Sequence, residues 1–421
     1  MSLVSDIGEV LNSDQPLTSI EVLPGDADIW LSQDPTGQRG FLLQEGNLGI
    51  PQKVVYKAYI QAISVFQSCP SSRRLLDGQT QRTKGDSSRG GIDASTITRL
   101  IHSSSVMLLA NPAHQTALNA RKRLVLAGLV DPLVELRLMA ALLTLRECSK
   151  ESIIWHHRRW LLRFIGNRVS QNGFGGSSSS EGSTGDLIAD EDTLDGVHLS
   201  LALLGEELKV ASKAVETYRR NYFAWSHRTR VVDALLASVH MLRSIDSKGK
   251  GPSSSESDDE LLPVLMEEHK WATKWVDLHV SDYTAMQYLR RIDTLMRRSS
   301  ILSPQSSGIS DIDPGISQHS LSLLQGYPEY ESVWMYARFA GAKEDVGPFA
   351  VEKIHGRLGA ENRKAEYRQG VQLNARRFLA WTAFCQKTAH LTPRDALLGS
   401  EDTIDILLRT APRDPRSIPS S

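Results

Sequence analysis

The sequence predicts an all-α protein, a right-handed α-α superhelix built as a solenoid of antiparallel helix hairpins, and three observations carry that prediction. A large apolar residue recurs in one short frame at positions 118, 155, 225, 286, 334 and 381. The intervals are 37, 70, 61, 48 and 47 residues, and the two longest hold Ser/Gly-rich insertions, so the underlying period lies in the forties. Periods of that size belong to stacked helical pairs, here roughly five to seven of them. Finally, apolar residues between the insertions step by three or four, and no sustained alternating run of the kind that builds a sheet is present.

Taken in order, residues 1–95 form an N-terminal cap or irregular segment mixing Gly, Pro and Asp with short apolar runs such as Phe41-Leu-Leu, and one helix is expected over Val54–Phe66. Residues 96–391 carry the helical repeats, and 392–421 a last helix and tail. Four polar tracts, Ser71–Asp93, Ser170–Asp186, Asp246–Asp259 and Ser299–Ser320, have the composition of linkers. Such stretches bury too little apolar area to offset the entropy of ordering them. Leu133–Leu145 is apolar on nearly every side, broken only by Glu135, Arg137 and Thr144, and so belongs inside the stack. Leu204, Leu208, Ala211, Val215 and Tyr218 give one apolar face to a long helix. Pro132, Pro263 and Pro328 are expected near helix starts, where a missing N–H does little harm.

The frame itself is Glu151-Ser-Ile-Ile-Trp155-His-His-Arg158, Asn221-Tyr-Phe-Ala-Trp225-Ser-His-Arg228, Tyr330-Glu-Ser-Val-Trp334-Met-Tyr-Ala337 and Arg377-Phe-Leu-Ala-Trp381-Thr-Ala-Phe384, with degenerate copies at Leu118 and Met286. It holds four of the eight tryptophans. Asn221 and Asp282 suit a helix cap, whereas His114, Glu151, Tyr330 and Arg377 are poorer caps. Each tryptophan is expected to plug the preceding hairpin, worth about 3–5 kcal/mol by the cost of truncation. Arg158 and Arg228, three residues on, share that face and can bond carbonyls at the end of a neighbouring helix. These residues are expected to be structural or partner-facing.

Lysine and arginine total 48 against 49 aspartates and glutamates, a net charge of −1, which argues against a general nucleic-acid or membrane-surface binder. The three cysteines, Cys69, Cys148 and Cys385, are far apart, so a disulfide framework is not expected. No uncharged apolar window reaches the length of a membrane span, and no signal peptide is evident; a cytoplasmic location is expected. His156 and His157 are adjacent rather than spaced for one helix face, and no metal site is expected in this chain.

These segments resemble the repeat of protein prenyltransferase α subunits, whose core reads Asn-Tyr-x-x-Trp-x-x-Arg-Arg. Asn221-Tyr-Phe-Ala-Trp-Ser-His-Arg228 and Ile154-Trp-His-His-Arg-Arg-Trp160 are close matches. A divergent branch of that family is similar in further phrases, among them Asn111-Pro-Ala-His, His279-Val-Ser-Asp-Tyr283 and Phe41-Leu-Leu-Gln-Glu-Gly-Asn-Leu-Gly49. The resemblance spans residues 96–391. It implies a crescent of helical hairpins wrapped around a β subunit, itself an α/α barrel. That heterodimer moves a farnesyl or geranylgeranyl group from isoprenoid diphosphate to a cysteine near a protein's C-terminus. Zinc and most of the isoprenoid pocket are expected in the β subunit, so this chain alone is expected to be inactive. The family's α subunits aim a lysine at the leaving diphosphate, just before the Asn-Tyr of the third repeat. By repeat order Arg220 holds that place. It keeps the charge but not the shape, and its alternative role is a solvated helix-end residue beside Arg219. Tyr222 either lines the same cleft or packs in the first turn, and His227 is expected as a satisfied interface histidine. The competing function is a non-catalytic helical scaffold that binds a protein partner.

Overall fold

The computed structural model describes residues 2–25, 30, 40–69, 93–173, 193, 194, 196, 197, 199–246, 256–302, 315–340, 343–355 and 365–388. The chain is predominantly helical and divides into two compact units, Met1–Met266 and Glu267–Ser421.

The first unit opens with α1 (Leu3–Leu11), capped by Ser2, whose hydroxyl accepts from the Ser5 amide. A small sheet follows, made of β1 (Ser19–Leu23), β2 (Leu42–Gln44) and β3 (Asn47–Pro51) in the order β1-β3-β2. This corrects the expectation of no sheet. The strands are three to five residues long, too short to show an alternating run. β2 and β3 are antiparallel, and Glu45 and Gly46 join them with φ of 51° and 78°, the left-handed pair a tight two-residue hairpin turn requires. β1 lies parallel to β3.

Helices α2 (Gln52–Ser68) and α3 (Ala94–Ala110) pack on each other and on α1. At the α1–α3 crossing the helices approach so closely that a Cβ on Gly8 would stand 2.3 Å from His102 Cβ. Next come α4 (Gln115–Leu126), α5 (Pro132–Leu142), the single turn α6 (Arg146–Ser149), and α7 (Ser152–Gly173). The hairpin of α8 (Leu201–Thr217) and α9 (Tyr222–Asp246) follows. Leu204, Leu208, Ala211 and Val215 are buried as their spacing predicts, while Tyr218 caps the end of α8 half-buried. Pro132 stands at the start of α5, as expected.

The boundary with the second unit falls within α10 (Glu256–Leu278). Pro263 lies inside this helix rather than at its start, because the helix begins seven residues earlier than the proline marks. The second unit continues with α11 (Tyr283–Leu302), α12 (Gly315–Gly326), α13 (Glu331–Phe339), α14 (Lys343–His355) and α15 (Ala365–Thr388). Within it α12 packs on α13, α11 on α13, and α14 on α15.

Three polar tracts are narrower than their composition suggested. Helix α7 runs on to Gly173, α10 starts at Glu256, and α11 and α12 extend into the fourth tract from either side. The remainder of these tracts, all of the first but Asp93, and the C-terminal segment 392–421 lie outside the described residues.

Candidate functional site

Five of the six frame positions share one structural address. Leu118, Trp155, Trp225, Met286 and Trp334 are each the fourth residue of a helix (α4, α7, α9, α11 and α13) and are at most 3% exposed. The indole N–H of Trp155 donates to Ser149 O at 3.0 Å and that of Trp334 to Pro328 O at 2.7 Å, each six residues back. The sixth position departs from the pattern. Trp381 and the preceding Arg377 lie deep inside α15, Trp381 is half-buried under Arg338, and Phe378 is the fully buried ring there. A matching tetrapeptide inside a long helix meets different neighbours from one that follows a cap.

Side-chain caps fix the helix start in three of the copies. Asn221 Oδ1 accepts from the Ala224 amide and Asp282 Oδ1 from the Ala285 amide. His114 also caps, its Nδ1 accepting from the Ala117 amide at 3.3 Å, so the reading of His114 as a poor cap is corrected. Tyr330 makes no side-chain cap.

Three residues after the slot, Arg121, Arg158 and Arg228 are buried and repeat one contact. Each donates from Nη1 to a carbonyl of an earlier helix: Ile101, Leu136 and Leu208. In the α11 and α13 copies this position is Leu289 and Ala337, both wholly buried, so the arginine contact belongs to the copies at 118, 155 and 225 and not to these two.

That seam is completed by acids the sequence reading did not single out as site residues. Glu135 takes Arg121 from α4, with Nε–O distances of 2.9 Å, and His157 from α7 at 3.0 Å. Glu207 takes Arg158 from α7 in a two-point pair at 2.6 Å and His227 from α9 at 2.9 Å. All six side chains are at most 6% exposed. Burial pushes the Glu135 carboxyl up, but the Arg121 charge and the hydrogen bonds from His157 and Arg121 outweigh it and hold the group at about 2. Glu207 repeats the balance, burial opposed by Arg158 and His227, and is also held at about 2. Burial lowers His227, with Glu207 acting against it. An ionised carboxylate has no proton to give, so His227 Nε2 donates, and its Nδ1 is buried without a hydrogen-bond partner among the described residues. A glutamate interrupting an apolar helix face, 18 to 20 residues before a Trp-x-His-Arg, was the available signal.

The remaining candidates gather at the turns. Asn221 is buried, and its amide donates to Ser149 O at 2.9 Å and Ser149 Oγ at 2.6 Å, tying the α8–α9 turn to the α6–α7 turn. Its two neighbours point the other way. Arg220 is exposed with φ of 59°, and Tyr222 is 62% exposed, so Tyr222 is not packed into the first turn. Lys150 stands five residues before Trp155 as Arg220 stands five before Trp225, the corresponding cation one copy earlier. Its Nζ sits 5.1 Å from the centre of the Tyr218 ring and 3.2 Å from Glu147 Oε1. His156 is exposed, and no group of three or more His, Cys, Asp or Glu among the described residues is placed to hold a metal ion. No helix among them is long and apolar enough to cross a membrane.

Comparison with known proteins agrees with the α8–α9 geometry. The protein prenyltransferase alpha subunit repeat matches residues 204–235, the hairpin that carries Glu207, Asn221, Trp225, His227 and Arg228. The chain is 26% identical over 267 residues to Protein prenyltransferase alpha subunit repeat-containing protein 1 of Homo sapiens, covering 57% of this chain and 58% of that protein. It is 27% identical over 264 residues to the protein of the same name from Danio rerio, covering 57% and 53%. The chain thus spans a little over half the length of the curated relatives it matches. Residues 204–235 thus match the protein prenyltransferase alpha subunit repeat, and over more than half its length the chain is similar to repeat-containing proteins of that kind.

Proposed function

We propose that the chain is the α-type subunit of a heterodimeric protein prenyltransferase, its hairpins continuing as a right-handed superhelix around a β subunit in the cytoplasm. The observation that carries this reading is the α8–α9 turn. Buried Asn221 locks it in place, and exposed Arg220 and Tyr222 on either side are turned outward, with Lys150 in the equivalent place one copy earlier. A left-handed φ costs a residue with a side chain about 1–2 kcal/mol, and here it presents a guanidinium to whatever lies outside the turn.

In the reaction, a cysteine thiolate of the protein substrate attacks the first carbon of the isoprenoid. A thioether forms, and the C–O bond to diphosphate breaks. Negative charge builds on the leaving diphosphate, and fixed cations at that place lower the barrier. Arg220 offers a planar two-point donor for phosphate oxygens and Lys150 a compact charge. Zinc, supplied by the β subunit, would activate the thiol. Farnesyl or geranylgeranyl preference is a property of the β pocket.

Co-expression with candidate β subunits tests the reading. A stable one-to-one dimer should transfer labelled isoprenoid to protein substrates. Arg220→Ala should lower kcat about a hundredfold, by analogy with loss of one charge-stabilising donor, with little change in KM for the protein substrate. Unchanged turnover removes Arg220 from the mechanism. A stable dimer that transfers nothing with any isoprenoid diphosphate supports the non-catalytic scaffold instead.

A further inference from the structure

Tyr218 closes α8, and two cations from the α6–α7 turn lie against its ring. The Lys150 ammonium is 5.1 Å from the ring centre and the Arg146 guanidinium 5.6 Å. Arg219 and Arg220 follow Tyr218 directly in the chain; both are exposed, and neither forms a hydrogen bond or ion pair with another described residue. The Asn221–Ser149 hydrogen bonds fasten the two turns together, so this set is not a chance meeting of long side chains. Against these four cations stands Glu147, which pairs with Lys150 at 3.2 Å while 74% exposed. Glu151 and Glu216 lie nearby in sequence.

We propose that Tyr218 and Arg146 belong to a polyanion site on this turn, Tyr218 as a positioning residue that gathers Arg146 and Lys150 beside Arg219 and Arg220, for a ligand of the diphosphate class. The ring face attracts a cation through its quadrupole and leaves the cation's N–H donors free for phosphate oxygens. Four positive charges suit a ligand with several negative charges better than a single carboxylate. Glu147 acts as the resident counter-ion that such a ligand displaces from Lys150. The proposal rests on the reading that this turn faces the leaving diphosphate, but its test does not require catalysis.

The test is calorimetric titration of the full-length chain with inorganic pyrophosphate at low salt, where exposed charges are least screened. Wild type should bind. Tyr218→Phe should bind equally, because the ring is kept, and Tyr218→Leu should weaken binding about three- to thirtyfold, the range of one cation–ring contact. Arg146→Ala, an exposed substitution that spares the core, should weaken it in the same range, and Glu147→Gln should tighten it. Absence of binding by wild type, or equal binding by both Tyr218→Leu and Arg146→Ala, overturns the proposal. Binding with this variant pattern, in a chain that forms no active dimer with any β subunit, upholds the site and sinks the prenyltransferase reading instead.

Discussion

Replacing Glu207 by Gln removes one charge from a closed set of three side chains and leaves the other two in place. Arg158 would remain 3% exposed, still bonded to Leu136 O but without its carboxylate, and His227 would lose the acceptor for its Nε2 proton. Two independent routes give the cost. Stripping one partner from a buried pair costs about 3–5 kcal/mol, because an uncompensated charge stays behind. The Glu207 carboxyl is lowered from 4.5 to about 2, which corresponds to roughly 3 kcal/mol of stability by linkage. The pH window follows from the direction of the shift. A depressed carboxyl stabilises the fold fully above its unfolded value of 4.5, and that contribution is lost as pH falls toward 2. His227, lowered by burial, adds to the same trend, since protonation favours the unfolded chain below 6.5. Urea unfolding followed by circular dichroism at pH 7 and pH 4 measures all of this. Glu207→Gln should lose about 3 kcal/mol or more at pH 7, and the difference from wild type should shrink at pH 4. Glu207→Met with Arg158→Met should recover much of the loss, because no charge is then stranded. A Glu207→Gln variant within about 1 kcal/mol of wild type at pH 7 would refute the reasoning.

The other predictions rest on packing. Gly8→Ala should destabilise the first unit by about 1–3 kcal/mol, since its Cβ would fall 2.3–2.7 Å from His102 Cβ, Cγ and Cα; thermal unfolding of the full chain reads this. Trp225→Ala should cost about 3–5 kcal/mol and Trp381→Ala clearly less, because Trp225 is 1% exposed and Trp381 half-buried; equal losses would contradict the distinction between the two copies. The Cys148 thiol, pushed up to about 12 by burial with Glu147 and Glu151 adding to it, should resist iodoacetamide at pH 8 until the chain is unfolded, which mass spectrometry of the labelled peptide would follow.

What the sequence made legible was the part that repeats. A slot that recurs five times after a cap writes its period into the chain, so the helical class and the burial of Trp155, Trp225 and Trp334 followed from spacing alone. The sheet near the N-terminus did not, because strands of three to five residues carry no period and are fixed by partners 28 residues apart, as Ser19 is from Asn47. Trp381 misled for a related reason: the frame was intact, but it lies well inside a helix that begins at Ala365 rather than at a helix start. The acids were hidden differently. Glu135 sits in a stretch read as apolar on nearly every side, and a buried carboxylate is tolerable only where cations converge on it. Its partners, the Arg121 guanidinium and the His157 imidazole, come from the helices on either side of α5. The arginine of one copy and the histidine of the next therefore meet on a single carboxylate, and Glu207 repeats this with Arg158 and His227. Such a seam couples successive hairpins through charges that are costly to strand. It holds in place the Ser149–Asn221 junction from which Lys150, Arg220 and Tyr222 project. On the prenyltransferase reading proposed above, the outward turn would need that inward rigidity, since cations placed to meet a developing charge gain little if their backbone can follow them.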